Sequence, residues 1–175
     1  MRKLSLQELN RIDVETFKNA AKLPICVVLD NIRSANNVGS VFRTCDAFLI
    51  DQIHLCGYTP RPPHKEIQKT AIGATESMEW HYFESTVESI KQLRLNGYEI
   101  IAIEQADASK KLHNFEWNKE KKYAFILGNE VKGVSDEAMQ LIDYCIEVPQ
   151  FGTKHSLNIS VCTGIVLWDA VKAFI

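Results

Sequence analysis

A chain of 175 residues is long enough for one domain with a real core and too short for two comfortable ones. An apolar share of 46% and a charged share of 24% are those of an ordinary globular protein and exclude a disordered or fibrous chain. A net charge of −2 excludes a broadly basic surface, so any contact with phosphates has to be made by a local patch.

In chain order, Ser5-Leu-Gln-Glu8 reads as a capping box opening a helix that runs to about Ala21 or Lys22, where Pro24 stops it. Ile25 to Asp30 is a short, continuously apolar run, as in a strand buried on both faces. A polar loop, NIRSANNVGS, leads into a helix through Phe42 to Phe48, with Asn36 as its expected cap and Asn37 and Gly39 in its first turn. Gln52 to Cys56 is a second strand, and GYTPRPP a loop stiffened by prolines. A short helix is expected over His64 to Gly73, a strand over Glu79 to Phe83, and a helix from the capping box Ser85 to Glu88 up to Gly97. Strands follow at Tyr98 to Glu104 and Tyr123 to Leu127. A short helix spans Ser135 to Ile142, a strand Tyr144 to Val148, and a long apolar helix Leu157 to Phe174.

This alternation is that of an α/β domain with a mostly parallel sheet flanked by helices. The layout divides into a short N-terminal helical extension, residues 1–22, and one domain, residues 23–175. The start MRKLSLQELN lacks the apolar core of a secretory signal. Asn158, Ser160, Asp169 and Lys172 make the last helix a buried one rather than a membrane span. Cys26, Cys45, Cys56, Cys145 and Cys162 form no CxxC pair, which points to reduced thiols and a cytoplasmic protein. The five histidines offer no ligand spacing, so no metal is expected. Candidate basic patches are Arg61, His64, Lys65 and Lys69, then Lys110 with Lys111, then Lys119 to Lys122; each alone reads as a solvated face.

Glycine-rich dinucleotide, phosphate-loop and nucleophile-elbow motifs are all missing. In a parallel sheet, ligands sit beyond the carboxyl ends of strands, and three such loops are rich in Asn, Gly and Ser. The first places Asn37 six residues before Arg43, so that both can flank one pocket and meet a phosphate. In the second, Gly128 and Gly133 permit close backbone approach, Ser135 is the expected cap of the next helix, and Glu130 follows a buried strand. In the third, Ser156 and Asn158 head a helix otherwise almost wholly apolar. Capping accounts for one polar residue there but not for the string SLNIS.

The strings NNVGSVFRTCDA, LGNEVKGVSDE and VPQFGTKHSLNISVCTG, in this order, resemble the three motifs of the SpoU (TrmH) branch of the SPOUT methyltransferases. The likeness runs from Pro24 to Ile175 and takes in KTAIGATESMEW. The resemblance implies a C-terminal deep trefoil knot, a feature that no periodicity announces. It also implies a homodimer through the knot region and S-adenosyl-L-methionine held near Leu127, Gly128, Val148 and Leu157. The implied reaction is methyl transfer to a ribose 2′-hydroxyl of RNA. Arg43 takes the catalytic position, and Asn37, Glu130, Ser156 and Asn158 orient the groups around it. A guanidinium stays protonated, so Arg43 is expected to clamp an RNA phosphate rather than act as a base. Only about two dozen residues precede the first strand, which favours tRNA as substrate over rRNA. A base-directed enzyme of the same superfamily and a catalytically silent RNA-binding module are the alternatives, the first disfavoured by the Asn37–Arg43 spacing and the second by an intact residue set.

Overall fold

A computed structural model describes residues 1–5 and 7–175. Its elements are α1 (Val14–Asn19), β1 (Leu23–Asp30), α2 (Ala35–Ala47), β2 (Ile50–Cys56), α3 (Lys65–Ala71), α4 (Ala74–Ser77) and β3 (Glu79–Phe83). There follow α5 (Thr86–Leu95), β4 (Tyr98–Ile103), β5 (Lys110–Lys111), β6 (Lys122–Leu127), α6 (Asp136–Met139), β7 (Tyr144–Glu147) and α7 (Ile159–Val171). The strands form one sheet in the order β3-β2-β1-β6-β4-β7-β5, and every pairing in it is parallel.

The central strands are apolar throughout because both of their faces are covered. Ile25, Val27 and Leu29 of β1 join Tyr123, Phe125 and Leu127 of β6 in a core beneath α2 and α7. The residues between them, Cys26, Val28, Ala124 and Ile126, point the other way into a second core with Ile90 and Leu93 of α5. This is the period-two alternation of a strand, read on both sides at once. Phe17 of α1 is buried in the first core, which ties the N-terminal segment to the domain.

Several boundaries differ from the sequence expectations. The first helix is not continuous: a 3-10 turn covers Gln7–Leu9, Asn10 takes a positive φ of 47°, and Asp13 caps a separate α1. Leu6 of the expected capping box lies outside the described residues. Pro24 does not follow the helix as a stop but lies inside β1. Helix α2 begins earlier than expected, with Ser34 rather than Asn36 as cap, the Ser34 hydroxyl accepting from the Asn37 N–H at 3.3 Å. Ser135 makes no side-chain cap to α6; its backbone N–H donates to Asp30 instead. Asn158, not Leu157, sets the start of α7, accepting from the Ser160 N–H at 2.9 Å.

Strand β7 lies between β4 and β5, both of which precede it in sequence. The connection over residues 104–109 therefore passes the carboxyl end of β7, from which the chain continues to α7.

Candidate active site

The carboxyl ends of β1, β6, β4 and β7 meet at one edge of the sheet, and the loops leaving them are fixed to one another by side chains. Asp30, at the end of β1, is 1% exposed and accepts three hydrogen bonds. These come from the Thr86 hydroxyl at 2.6 Å, the Ser135 N–H at 2.7 Å and the Asn31 amide at 2.8 Å. A buried carboxylate is tolerable only when so satisfied. Asn129 performs a similar task one loop away. Its amide donates to the Asn31 carbonyl at 2.7 Å and to the Tyr58 hydroxyl at 2.8 Å, while its oxygen accepts from the N–H groups of Val131 and Lys132.

Glu130 joins the loops directly. Its carboxylate accepts from the N–H groups of Arg33 at 2.9 Å and Ser34 at 3.1 Å, and from the Asn37 amide at 3.1 Å. Asn37 in turn accepts from the Asn158 amide at 3.1 Å, and Asn158 holds both the backbone N–H and the hydroxyl of Ser160. One hydrogen-bonded chain thus runs from the loop after β6, through α2, to the head of α7. Burial pushes the Glu130 carboxyl up, but the donors from Arg33, Ser34 and Asn37 more than offset it and leave its pKa below the usual value.

Beside this chain lies a cleft of about 660 Å³, large enough for a nucleoside-sized ligand. Leu127, Gly128, Val148 and Leu157 line it, as do Glu130, Ser156 and Asn158. Gly128 is obligatory: a Cβ there would lie 2.1 Å from the backbone of Gly133 and Val134. The cleft is apolar in its depth (Ile103, Leu127, Ile159) and acidic around it, with Glu104, Glu130 and Glu147 on its wall and no Lys or Arg among the lining residues. Lys111 neutralises Glu147 at 2.7 Å, whereas among the described residues the Glu104 carboxylate accepts only from the Val134 and Gln105 N–H groups. Such a wall suits a ligand bearing positive charge and repels a phosphate. Cys162, also on the wall, has its thiol raised to about 11 by burial, so it stays protonated and poorly nucleophilic near neutral pH.

The two remaining candidates, Ser156 and Arg43, differ in placement. Ser156 is exposed on the cleft wall. Arg43 is exposed on α2 but does not line the cleft, and among the described residues no carboxylate pairs with it. Asn37 reaches the cleft residues through its hydrogen bonds to Glu130 and Asn158, whereas Arg43, further along α2, makes no such link among the described residues. Asp30 and Glu104 lie outside the candidates that the sequence offers, and Asn129 enters there only as the neighbour of Glu130. Glu104 carries the same signal that marked Glu130, a carboxylate just past a buried strand, and was legible on that basis. Of the basic clusters, Lys111 and Lys121 are spent on Glu147 and Glu99, and Lys110 and Lys122 lie over Tyr144 and Tyr98. Exposed Arg61, His64 and Lys65 remain on or just before α3, which packs against α2, while Lys69 lies 3.8 Å from Glu66 on the same helix. Among the described residues no His/Cys/Asp/Glu group could hold a metal ion.

The chain resembles known proteins in both sequence and fold. The chain is 31% identical over 154 residues to the tRNA (guanosine(18)-2′-O)-methyltransferase of Aquifex aeolicus, covering 85% of this chain and 69% of that protein. It is 26% identical over 159 residues to a 23S rRNA (guanosine-2′-O-)-methyltransferase of Neisseria meningitidis, covering 90% of this chain but 62% of the relative. Its fold superposes on an AdoMet-bound rRNA methyltransferase from Sinorhizobium meliloti with a TM-score of 0.82 at 25% identity, over 91% of this chain and 60% of that one. It also superposes on the A. aeolicus TrmH/SpoU tRNA modifying enzyme with a TM-score of 0.79 at 25% identity, over 91% and 79%. The SpoU rRNA methylase family profile matches residues 24–168, and the chain belongs to that family.

Proposed function

We propose that the chain transfers a methyl group from S-adenosylmethionine to a ribose 2′-hydroxyl of RNA, with tRNA the favoured substrate. The observation that carries this reading is the hydrogen-bonded chain Glu130–Asn37–Asn158, which joins the three family loops at the mouth of an acidic, nucleoside-sized cleft. The tRNA-directed relative in A. aeolicus supports the substrate, and the N. meningitidis relative keeps rRNA as the second choice.

The cleft residues fit the cofactor. Leu127, Val148 and Leu157 offer apolar walls for an adenosine, Gly128 lets backbone approach closely, and Glu104 gives a negative wall to a cationic ligand. When bound, S-adenosylmethionine would supply an electrophilic methyl group on a sulfonium, which departs as a neutral thioether when the ribose oxygen takes the methyl. The chain must then position the 2′-hydroxyl and receive its proton. Glu130 is a poor candidate for that proton, because its oxygens are already occupied by three donors. Its work is to hold Asn37 and the start of α2. Arg43, cationic and without a carboxylate partner among the described residues, holds an RNA phosphate outside the cleft and lets that phosphate assist proton removal. Ser156 and Asn158 bound the ribose side of the cleft.

The domain is residues 23–175, with residues 1–22 as an extension anchored by Phe17. The placing of β7 between the earlier strands β4 and β5 supports a trefoil knot. Val161, Ile165 and Trp168, spaced on one stripe of α7, are 53%, 39% and 51% exposed. Such a stripe supports a homodimer through this helix. The five free cysteines, four of them buried, support a cytoplasmic setting. Among the described residues no helix is long and apolar enough to cross a membrane.

The test is transfer of isotope-labelled methyl from S-adenosylmethionine to bulk tRNA by the unaltered chain and by Arg43→Ala. Label entering tRNA only with the unaltered chain supports the reading. Equal labelling by Arg43→Ala would remove Arg43 from the site.

A further inference from the structure

A second hollow, of about 600 Å³, opens at the outer end of the same sheet edge, between the loop after β2 and strand β3. Tyr58, Arg61, Trp80 and Tyr82 line it. Trp80 and Tyr82 project to one face of β3, two residues apart. Tyr58 is 60% exposed and Tyr82 38% exposed, although large aromatic rings are usually covered. The Arg61 guanidinium lies 4.0 Å from the centre of the Tyr82 ring. Among the described residues no carboxylate pairs with Arg61.

The hollow is held in shape before anything binds. The Thr59 hydroxyl is buried beneath it, donating toward the carbonyls of Cys56 at 2.7 Å and Leu29 at 3.0 Å and accepting from the Ile32 N–H at 3.0 Å. Prolines 60, 62 and 63 restrict the loop further. Gly57 is required at its hinge: it has a φ of 61°, and a Cβ there would meet the Asn31 side chain at 2.1 Å. A rigid platform loses little entropy on binding.

The hollow is also joined to the cofactor cleft. The Tyr58 hydroxyl receives the Asn129 amide at 2.8 Å, and Asn129 is itself on the cleft wall. One hydrogen bond thus separates the two openings, and the exposed His64 and Lys65 follow just after the loop.

We infer that this hollow takes an unstacked nucleobase of the RNA strand next to the target ribose, stacked in series with the Arg61 guanidinium and the Tyr82 ring. The inference rests on RNA being the substrate. Exposed aromatic rings beside an unpaired guanidinium match the π-faces and phosphates of a single strand. The acidic cleft repels phosphate, so the strand must be held outside it. A platform one hydrogen bond from the cleft keeps the neighbouring nucleotide there while the target ribose reaches in. Stacking reads π-faces rather than base edges, so this subsite tolerates any base.

The test measures binding of a short fluorescein-labelled single-stranded RNA of mixed sequence, and of bulk tRNA, by anisotropy, with S-adenosylmethionine titrated in parallel. None of the altered residues lies on the cleft wall. Tyr82→Ala and Arg61→Ala should each weaken RNA binding about tenfold, while Tyr82→Phe stays near the unaltered value. Arg61→Lys keeps the charge but loses the plane, and should fall with Arg61→Ala. Cofactor affinity should be the same in all four. Unchanged RNA affinity in Tyr82→Ala, or full affinity in Arg61→Lys, would overturn the stacking site and leave the RNA substrate standing. Failure of the unaltered chain to bind either RNA would remove the substrate reading, and the subsite with it.

Discussion

Glu130 is the residue through which the three loops are tied, and its ionisation decides whether they stay tied. Because its pKa is lowered in the folded chain, its stabilisation is present above the ordinary carboxylate value of about 4.3 and is lost as pH falls through the lower, folded value. Between pH 5 and 8 the knot of hydrogen bonds stays intact, so a rate–pH profile over that range should show no step from Glu130. A step that disappears in Glu130→Gln would contradict this. In Glu130→Gln one amide N–H must face an Arg33 or Ser34 N–H, and methyl transfer should fall about tenfold, as for one lost charge-assisted hydrogen bond. Arg43 gives a different signature. Since it lies off the cleft wall, Arg43→Ala should leave S-adenosylmethionine affinity unchanged in calorimetry while turnover drops by about two orders of magnitude.

At the scale of elements, two glycines set the close approaches on which the site depends. A Cβ on Gly39 would come within 2.1 Å of the Thr70 hydroxyl and 2.3 Å of the Ile67 carbonyl, where α2 crosses α3. Gly39→Ala should therefore cost about 1–3 kcal/mol in denaturant unfolding. Gly128→Ala pushes against the backbone of Gly133 and Val134, and should abolish detectable cofactor binding while circular dichroism shows the fold retained. Elements with a strong local pattern were legible in the sequence. The strand Glu79–Phe83 matches its expected limits, and Ser85 caps α5 through the Glu88 N–H. Where several residues competed for one role, the pattern did not decide. Ser34, Asn36 and Asn37 can all cap a helix, and Asn37 is drawn away by Glu130, a partner 93 positions distant. Strand β5 has two residues, too few for any alternation to register. The site shows the same division: Glu130, just past a buried strand, and the polar string around Ser156 and Asn158 stood out in the sequence, although Asn158 also serves locally as the cap of α7. Asp30 was hidden because its donors, Thr86 and Ser135, lie 56 and 105 positions away.

Across the whole molecule, charge and apolar surface are distributed by task. The cleft beside Glu130 is acidic, the cations near α2 and α3 are unspent or nearly so, and α7 turns an apolar stripe outward. Ile165→Asp, in the middle of that stripe, should convert the homodimer proposed through α7 to a monomer in light scattering without unfolding it. A dimer that persists would place the interface elsewhere. The order of strands, with β7 between β4 and β5, was not legible from periodicity, because each strand carries the same apolar signal whichever neighbour it takes. The central claim is that the methyl group goes to a ribose oxygen of RNA. The most direct measurement is mass analysis of nucleosides digested from tRNA and rRNA after incubation with the protein and S-adenosylmethionine. The expected product is a single 2′-O-methylated nucleoside, absent when Arg43→Ala replaces the unaltered chain. A methyl group on a base, or no methylated nucleoside from either RNA, would contradict it.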